Sequence, residues 1–174
     1  MSSRKISSVI RIATTAAVLL ILAAISAPTT TIMSSYAQTT IPSIFHATLE
    51  GEQEVPPVDS DAKGFATFRL NNDGTELEYK VIVANIEDVT AAHIHLAPKG
   101  ENGPIVAFLF NPETPTEGRT NGVLAEGTIT SADLVGPLEG ATLSELIDEM
   151  EEGNTYVNVH TVQHPGGEIR GQIS

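Results

Sequence analysis

The sequence predicts an all-β fold, a Greek-key β-sandwich or barrel of about eight strands with one short inserted helix. Three observations lead there. Beyond residue 43, apolar and polar residues alternate in runs of about six to eight, the pattern of half-buried strands. Turn-forming clusters separate those runs, among them Asn71-Asn72-Asp73-Gly74, Pro98-Lys99-Gly100 and His164-Pro165-Gly166-Gly167. In that region one stretch repeats apolar residues at helical spacing: Leu143, Leu146, Ile147 and Met150.

Residues 44–49 form the first expected strand. Residues 50–63 are a connection, because Pro56-Pro57 supplies no ladder donors. Residues 64–70 set Phe65, Thr67 and Arg69 against Ala66, Phe68 and Leu70. The Asn-Asp-Gly turn accepts positive φ and leads into 77–83, with Leu77, Tyr79, Val81 and Val83 on one face and Glu78 and Lys80 on the other. A strand through Ala91-Ala92-His93-Ile94-His95-Leu96 comes next, then a loop at 98–104 bounded by prolines. The run 105–110 is apolar throughout, as a buried strand would be, and 123–130 is the next strand. Thr142-Leu143-Ser144-Glu145 is a capping box that starts the helix, which Gly153 ends. Strands at 156–161 and 168–173 close the chain.

The first forty residues obey different rules. Arg4, Lys5 and Arg11 give a basic start, an apolar run extends from Ile12 to Ala27, and Ser35-Tyr36-Ala37 puts small residues where a signal peptidase reads. The pattern predicts a cleaved secretory signal at 1–37, a linker at 38–43 and a β domain at 44–174, placed outside the cytoplasm. The apolar run is short of the ~20 residues a span needs, so no membrane insertion is expected after cleavage.

The whole chain has nine Lys and Arg against twenty-two Asp and Glu, a net charge of −13. Residues 1–37 hold three of those bases and no acid, so the remainder carries six against twenty-two, a net of −16. Such a surface repels nucleic acid and anionic lipid, which argues against both as partners, and favours cations. The absence of cysteine excludes a disulfide framework and any thiolate metal site. Neither a Gly-rich phosphate loop, a His-Glu-X-X-His pattern nor a Gly-X-Ser-X-Gly elbow is present.

Two of the five histidines, His93 and His95, flank one apolar residue. On a strand they project from one face, about 6.5–7 Å apart, and can converge on one ion. By the same parity Tyr156, Asn158 and His160 oppose the apolar Val157 and Val159, and Glu168, Arg170 and Gln172 oppose Ile169 and Ile173. If those strands are neighbours, their polar faces form one patch. Three imidazoles there would suit copper, zinc or another borderline metal. His164, in a turn, and His46, distant in sequence, are candidates for a fourth ligand. The competing expectation is a polar sheet face, solvated or with histidines bonded to Glu168 or Asn158.

Several segments together resemble the chordin-type (CHRD) domain across nearly all of residues 44–174. They are Ala47-Thr48-Leu49-Glu50-Gly51 with Glu54-Val55-Pro56-Pro57-Val58, Thr90-Ala91-Ala92-His93-Ile94-His95, Gly100-Glu101-Asn102-Gly103-Pro104, Tyr156-Val157-Asn158-Val159-His160-Thr161, and Pro165-Gly166-Gly167-Glu168-Ile169-Arg170-Gly171-Gln172-Ile173. The resemblance implies an extracytoplasmic β-rich domain. A looser likeness is to the copper/zinc superoxide dismutases, Greek-key barrels with a His-X-His copper pair, a later copper histidine and an arginine near the metal. The matching positions are His93, His95, His160 and Arg170. That likeness implies copper ahead of zinc and, if the protein is an enzyme, an Arg170 that attracts an anionic substrate. The sequence departs from it in having no disulfide, no evident bridging histidine and no zinc loop. The expectation is therefore an exported domain that binds a metal ion through His93, His95 and His160. The alternatives are a dismutase-like copper enzyme and a metal-free structural or adhesive domain.

Overall fold

The structure, a computed structural model, describes residues 43–174. The expected signal at 1–37, and residues 38–42 of the expected linker, lie outside the described residues. Eight strands and one helix occur in the expected order: β1 (Ile44–Glu50), β2 (Lys63–Leu70), β3 (Leu77–Glu87), β4 (Val89–Leu96), β5 (Ile105–Phe110), β6 (Arg119–Ile129), α1 (Leu143–Glu151), β7 (Thr155–Thr161) and β8 (Ile169–Gln172). All strands join one antiparallel sheet in the order β5-β4-β7-β8-β1-β2-β3-β6. The non-sequential neighbours, β6 beside β3, β7 beside β4 and β8 beside β1, give it the over-and-back winding of a Greek key.

The two ends of the sheet curl towards each other. Tyr79 on β3 donates its hydroxyl to the Leu109 carbonyl on β5 at 2.8 Å. Val135, just past β6, donates its N–H to the Val106 carbonyl at 2.9 Å. These bonds draw the sheet into a nearly closed barrel, which leaves little exposed edge. Inside it lie the alternate residues of each strand, including Phe45, Leu49, Phe68, Val81, Ile94, Val106, Val157 and Ile169, all buried. Helix α1 closes the core with Leu143, Leu146, Ile147 and Met150. Its start is the expected capping box: Thr142 donates its N–H to the Glu145 carboxylate at 2.7 Å. Among the described residues no helix is long and apolar enough to cross a membrane.

Strands β3 and β6 are longer than the alternation predicted, eleven residues each. Their pairing shifts register after Val81 and again after Val83, where Asn85 takes φ +56°. Bulges of this kind bend and twist a strand round a barrel. They also break the two-residue period, which hid residues 84–87 and 119–122 from a reading by alternation. Residues 51–62 after β1 and 97–104 after β4 form two loops. Both fold over the outer face of β4, β7 and β8, and so turn that face into an enclosed layer.

Candidate metal centre

Register places the polar side chains in rows across three adjacent strands. His93 lies opposite Asn158, which lies opposite Arg170; His95 lies opposite Tyr156, which lies opposite Gln172. His160 faces Ala91, so it stands diagonal to His93. The three polar faces read from parity thus form one patch. It is not solvated: His93 is 7% exposed, His95 9%, Asn158 3% and Arg170 1%.

Within the patch His93, His95 and His160 converge, each offering a ring nitrogen, with those atoms all within 4.8 Å of one another. His93 Nδ1 and His160 Nε2 are 3.2 Å apart. His95 Nδ1 lies 2.9 Å from the Gly103 carbonyl, and His160 Nδ1 lies 2.9 Å from the Pro165 carbonyl. A carbonyl oxygen only accepts, so both Nδ1 atoms carry the proton and both Nε2 atoms keep their lone pairs. His93 Nδ1 then donates to His160 Nε2. His95 Nε2 is buried and has no hydrogen-bond partner among the described residues. Burying an acceptor without a partner costs roughly 1–3 kcal/mol, so the site carries a penalty that a bound ion would remove.

Burial also keeps these rings neutral. It lowers the pKa of His93 to about 4, with His160 and His95 adding to the effect, and it lowers those of His95 and His160 as well. A neutral imidazole is the ligating form, so protons compete little for the site near pH 7.

The loops hold this arrangement in place. Gly103 fits because a Cβ there would run into the Leu96 carbonyl, so only glycine lets the loop present its own carbonyl to His95. Arg170 anchors the same loop: Nη1 donates to Asn102 Oδ1 at 3.1 Å and Nη2 to the Glu101 carbonyl at 2.7 Å. Its guanidinium also lies 3.4 Å from the Tyr156 ring centroid, and Tyr156 stacks on His95 at 4.8 Å and 8°. The other loop joins through Asn102 Nδ2, which donates to the Val55 carbonyl at 2.7 Å, and through Asn158 Nδ2, which donates to Glu54 at 2.7 Å. Burial pushes the Glu54 pKa up to about 7 while the Arg170 charge pulls it down.

Residues 45–173 match the profile of the CHRD domain. The chain belongs to the CHRD family. A Chordin from Xenopus laevis is 29% identical over 133 residues, covering 72% of this chain and 12% of its own length. This chain therefore spans about an eighth of that relative. No solved structure matches. Of the segments that carry the resemblance, 90–95, 156–161 and 165–173 fall in or beside β4, β7 and β8, and 54–58 and 100–104 in the two loops, while 47–51 runs along β1.

His164 and His46 are not brought to the cluster. His164 lines a separate surface pocket with Asp59, Ser60 and Glu168, and His46 is exposed on β1 beside Phe65. Glu168 accepts from Ser60 and Thr161, and Asn158 is engaged by Glu54, so neither bonds a histidine of the cluster. What parity missed in the CHRD domain is the contribution of the loops: the Gly103 and Pro165 carbonyls, Glu54, Glu101 and Asn102. The breakers around residues 98–104 marked a loop without showing that it folds back over the strands.

Proposed function

We propose that this CHRD domain binds one transition-metal ion through His93 Nδ1, His95 Nε2 and His160 Nε2. The observation that carries this reading is the convergence of three neutral imidazoles, one of which, His95, keeps a buried Nε2 without a partner among the described residues. Two nitrogens about 2.0–2.1 Å from one tetrahedral ion lie ~3.3 Å apart, close to the 3.2 Å between His93 and His160. An ion would draw His95 in by a small side-chain rotation and shift the His93 proton to Nε2. An all-nitrogen set favours copper, with zinc second, over calcium or magnesium. The basic start, apolar run and Ser35-Tyr36-Ala37 ending support a signal at 1–37 and, with it, a site of action outside the cytoplasm.

The outer partners of His95 and His160 are backbone carbonyls, the usual device that orients metal-bound imidazole. A purely structural polar face would pair its histidines with carboxylates, so this favours the metal reading over a metal-free adhesive domain. In the dismutase-like alternative Arg170 would face an incoming anion. We assign it instead as a clamp, because its guanidinium is buried and committed to Glu101, Asn102 and Tyr156.

The test is metal content after dialysis against Cu(II) or Zn(II), on protein carrying no His-tag. One equivalent is expected for the wild type and for His164→Gln and His46→Gln. His160→Gln should lose most of that uptake with an unchanged far-UV circular dichroism spectrum. Uptake that is absent in the wild type, or equal in His160→Gln, would sink the reading.

A further inference from the structure

The charge and the exposure of the centre bear on what else it holds. Among the described residues its ligand groups are three imidazoles, and no carboxylate joins them. The outer partners, the Gly103 and Pro165 carbonyls, are neutral as well. A divalent ion here would keep its full charge through two layers of protein contacts. Arg170 adds a positive charge nearby and has no salt-bridge partner among the described residues; Glu54 acts on it from beyond ion-pair distance. Three protein ligands also leave a four-coordinate ion one position short.

Access is narrow. His93 and His95 are closed off, while Phe108, 44% exposed, packs edge-on against His93 with ring centroids 5.0 Å apart. His160, with its ring 5.0 Å from that of His93, is the partly exposed member of the three. The least covered side of the cluster is therefore the one beside Phe108 and His160.

Resting on the metal reading above, we propose that the centre takes one small exogenous anion as its remaining ligand, entering beside Phe108 and His160. The preference for an anion is local. At the site, attraction to an uncompensated divalent charge in a poorly solvated setting outweighs the repulsion from acids spread over the surface, because Coulomb energy falls with distance and salt screens the rest. Anions of two or three heavy atoms fit past Phe108, and aromatic carboxylates do not.

The full chain is loaded with Co(II), whose visible bands report coordination, and titrated with azide and, separately, with benzoate. Azide is expected to shift the bands saturably and benzoate to leave them unmoved. In Phe108→Ala, which alters no ligand, benzoate should shift them too. Failure to take up Co(II) removes the metal reading and this inference together. Stoichiometric Co(II) with bands indifferent to azide overturns this inference and leaves the metal reading standing. A benzoate response in the wild type equal to that of azide, or continued exclusion of benzoate from Phe108→Ala, overturns the size limit and the entry route.

Discussion

Across β1, β2, β3 and β6 the outward charges pair in register: Glu50 opposite Lys63, Arg69 opposite Glu78, Lys80 opposite Glu126. Their side chains stay in water, with Lys80 45% and Glu126 66% exposed. Across β4, β7 and β8 the outward residues are His, Asn, Tyr and Arg, and two loops bury them. Both faces back the same apolar core and both alternate polar with apolar residues. The open face carries long, flexible charges that need only solvent. The roofed face carries groups with fixed directional valence, most of them partnered, while His95 Nε2, Asn158 Oδ1 and Gln172 Oε1 are buried without a hydrogen-bond partner among the described residues. Polar alternation therefore says where the core is. The chemistry of the polar set, and of the loops able to cover it, says whether the other side is a site.

The sharpest way to break this contrast is Arg170→Ala. The substitution removes both hydrogen bonds to the 97–104 loop, the contact with Tyr156 and the positive charge near buried Glu54. Each of the two hydrogen bonds from this charged donor is worth roughly 1.5–3 kcal/mol, and loop and histidine geometry should loosen with their loss. Urea unfolding should show a midpoint well below that of the wild type. A loss under about 1 kcal/mol would mean that the roof is held by something other than Arg170.

Much of this was legible in the residues themselves. Alternation and, at 105–110, a continuous apolar run located the eight strands, and Thr142 with Glu145 located α1, because those signals are local. Parity put His93 and His95 on one face of their strand and His160 on the polar face of another, and the pairing of β4 with β7, which the sequence left conditional, then brought His93 and His160 nitrogens within 3.2 Å. The roof was not legible. Whether residues 97–104 hang in water or fold over β4 depends on Gly103 passing the Leu96 carbonyl and on Arg170 reaching Asn102 across 68 residues of sequence. Nothing local encodes either. The same long-range closure turned a polar face that could have been solvated into a buried one.

Acidification sharpens the comparison through the groups the roof buries. In the metal-free protein the pKa of His93 falls from an ordinary 6.5 to about 4, so between those values the unfolded chain binds a proton that the folded one refuses. Stability is full above about 6.5 and drains as pH falls through that window, and the lowered His95 and His160 act in the same direction. Glu54 works the other way: raised from 4.5 to about 7, it contributes stability below 4.5 that is lost as pH rises towards 7. For His93 and for Glu54 the effect amounts to ~3 kcal/mol at most. With three histidines against one carboxyl, the chelator-treated protein should weaken on acidification from pH 7 to 4.5. Glu54→Gln keeps an acceptor for Asn158 and removes the opposing slope, so its loss over the same range should be steeper. Parallel pH profiles for the two proteins would show that Glu54 is not protonated on folding.

The smallest effect belongs to the open face, at Lys80 and Glu126. Their 3.1 Å contact joins two side chains that are both well exposed, so water already solvates each charge and ordering two flexible chains offsets part of the attraction. A double-mutant cycle with Lys80→Ala and Glu126→Ala should give a coupling of about 0.2–1 kcal/mol. In roughly 1 M salt, where the Debye length shrinks to ~3 Å, that coupling should fall towards zero. The Arg170→Ala loss should survive the same salt, because a desolvated network excludes the screening ions. A coupling at Lys80–Glu126 above about 2 kcal/mol, or one that persists in salt, would mean that the open face is also an organised network, and the contrast between the two faces would lose its basis.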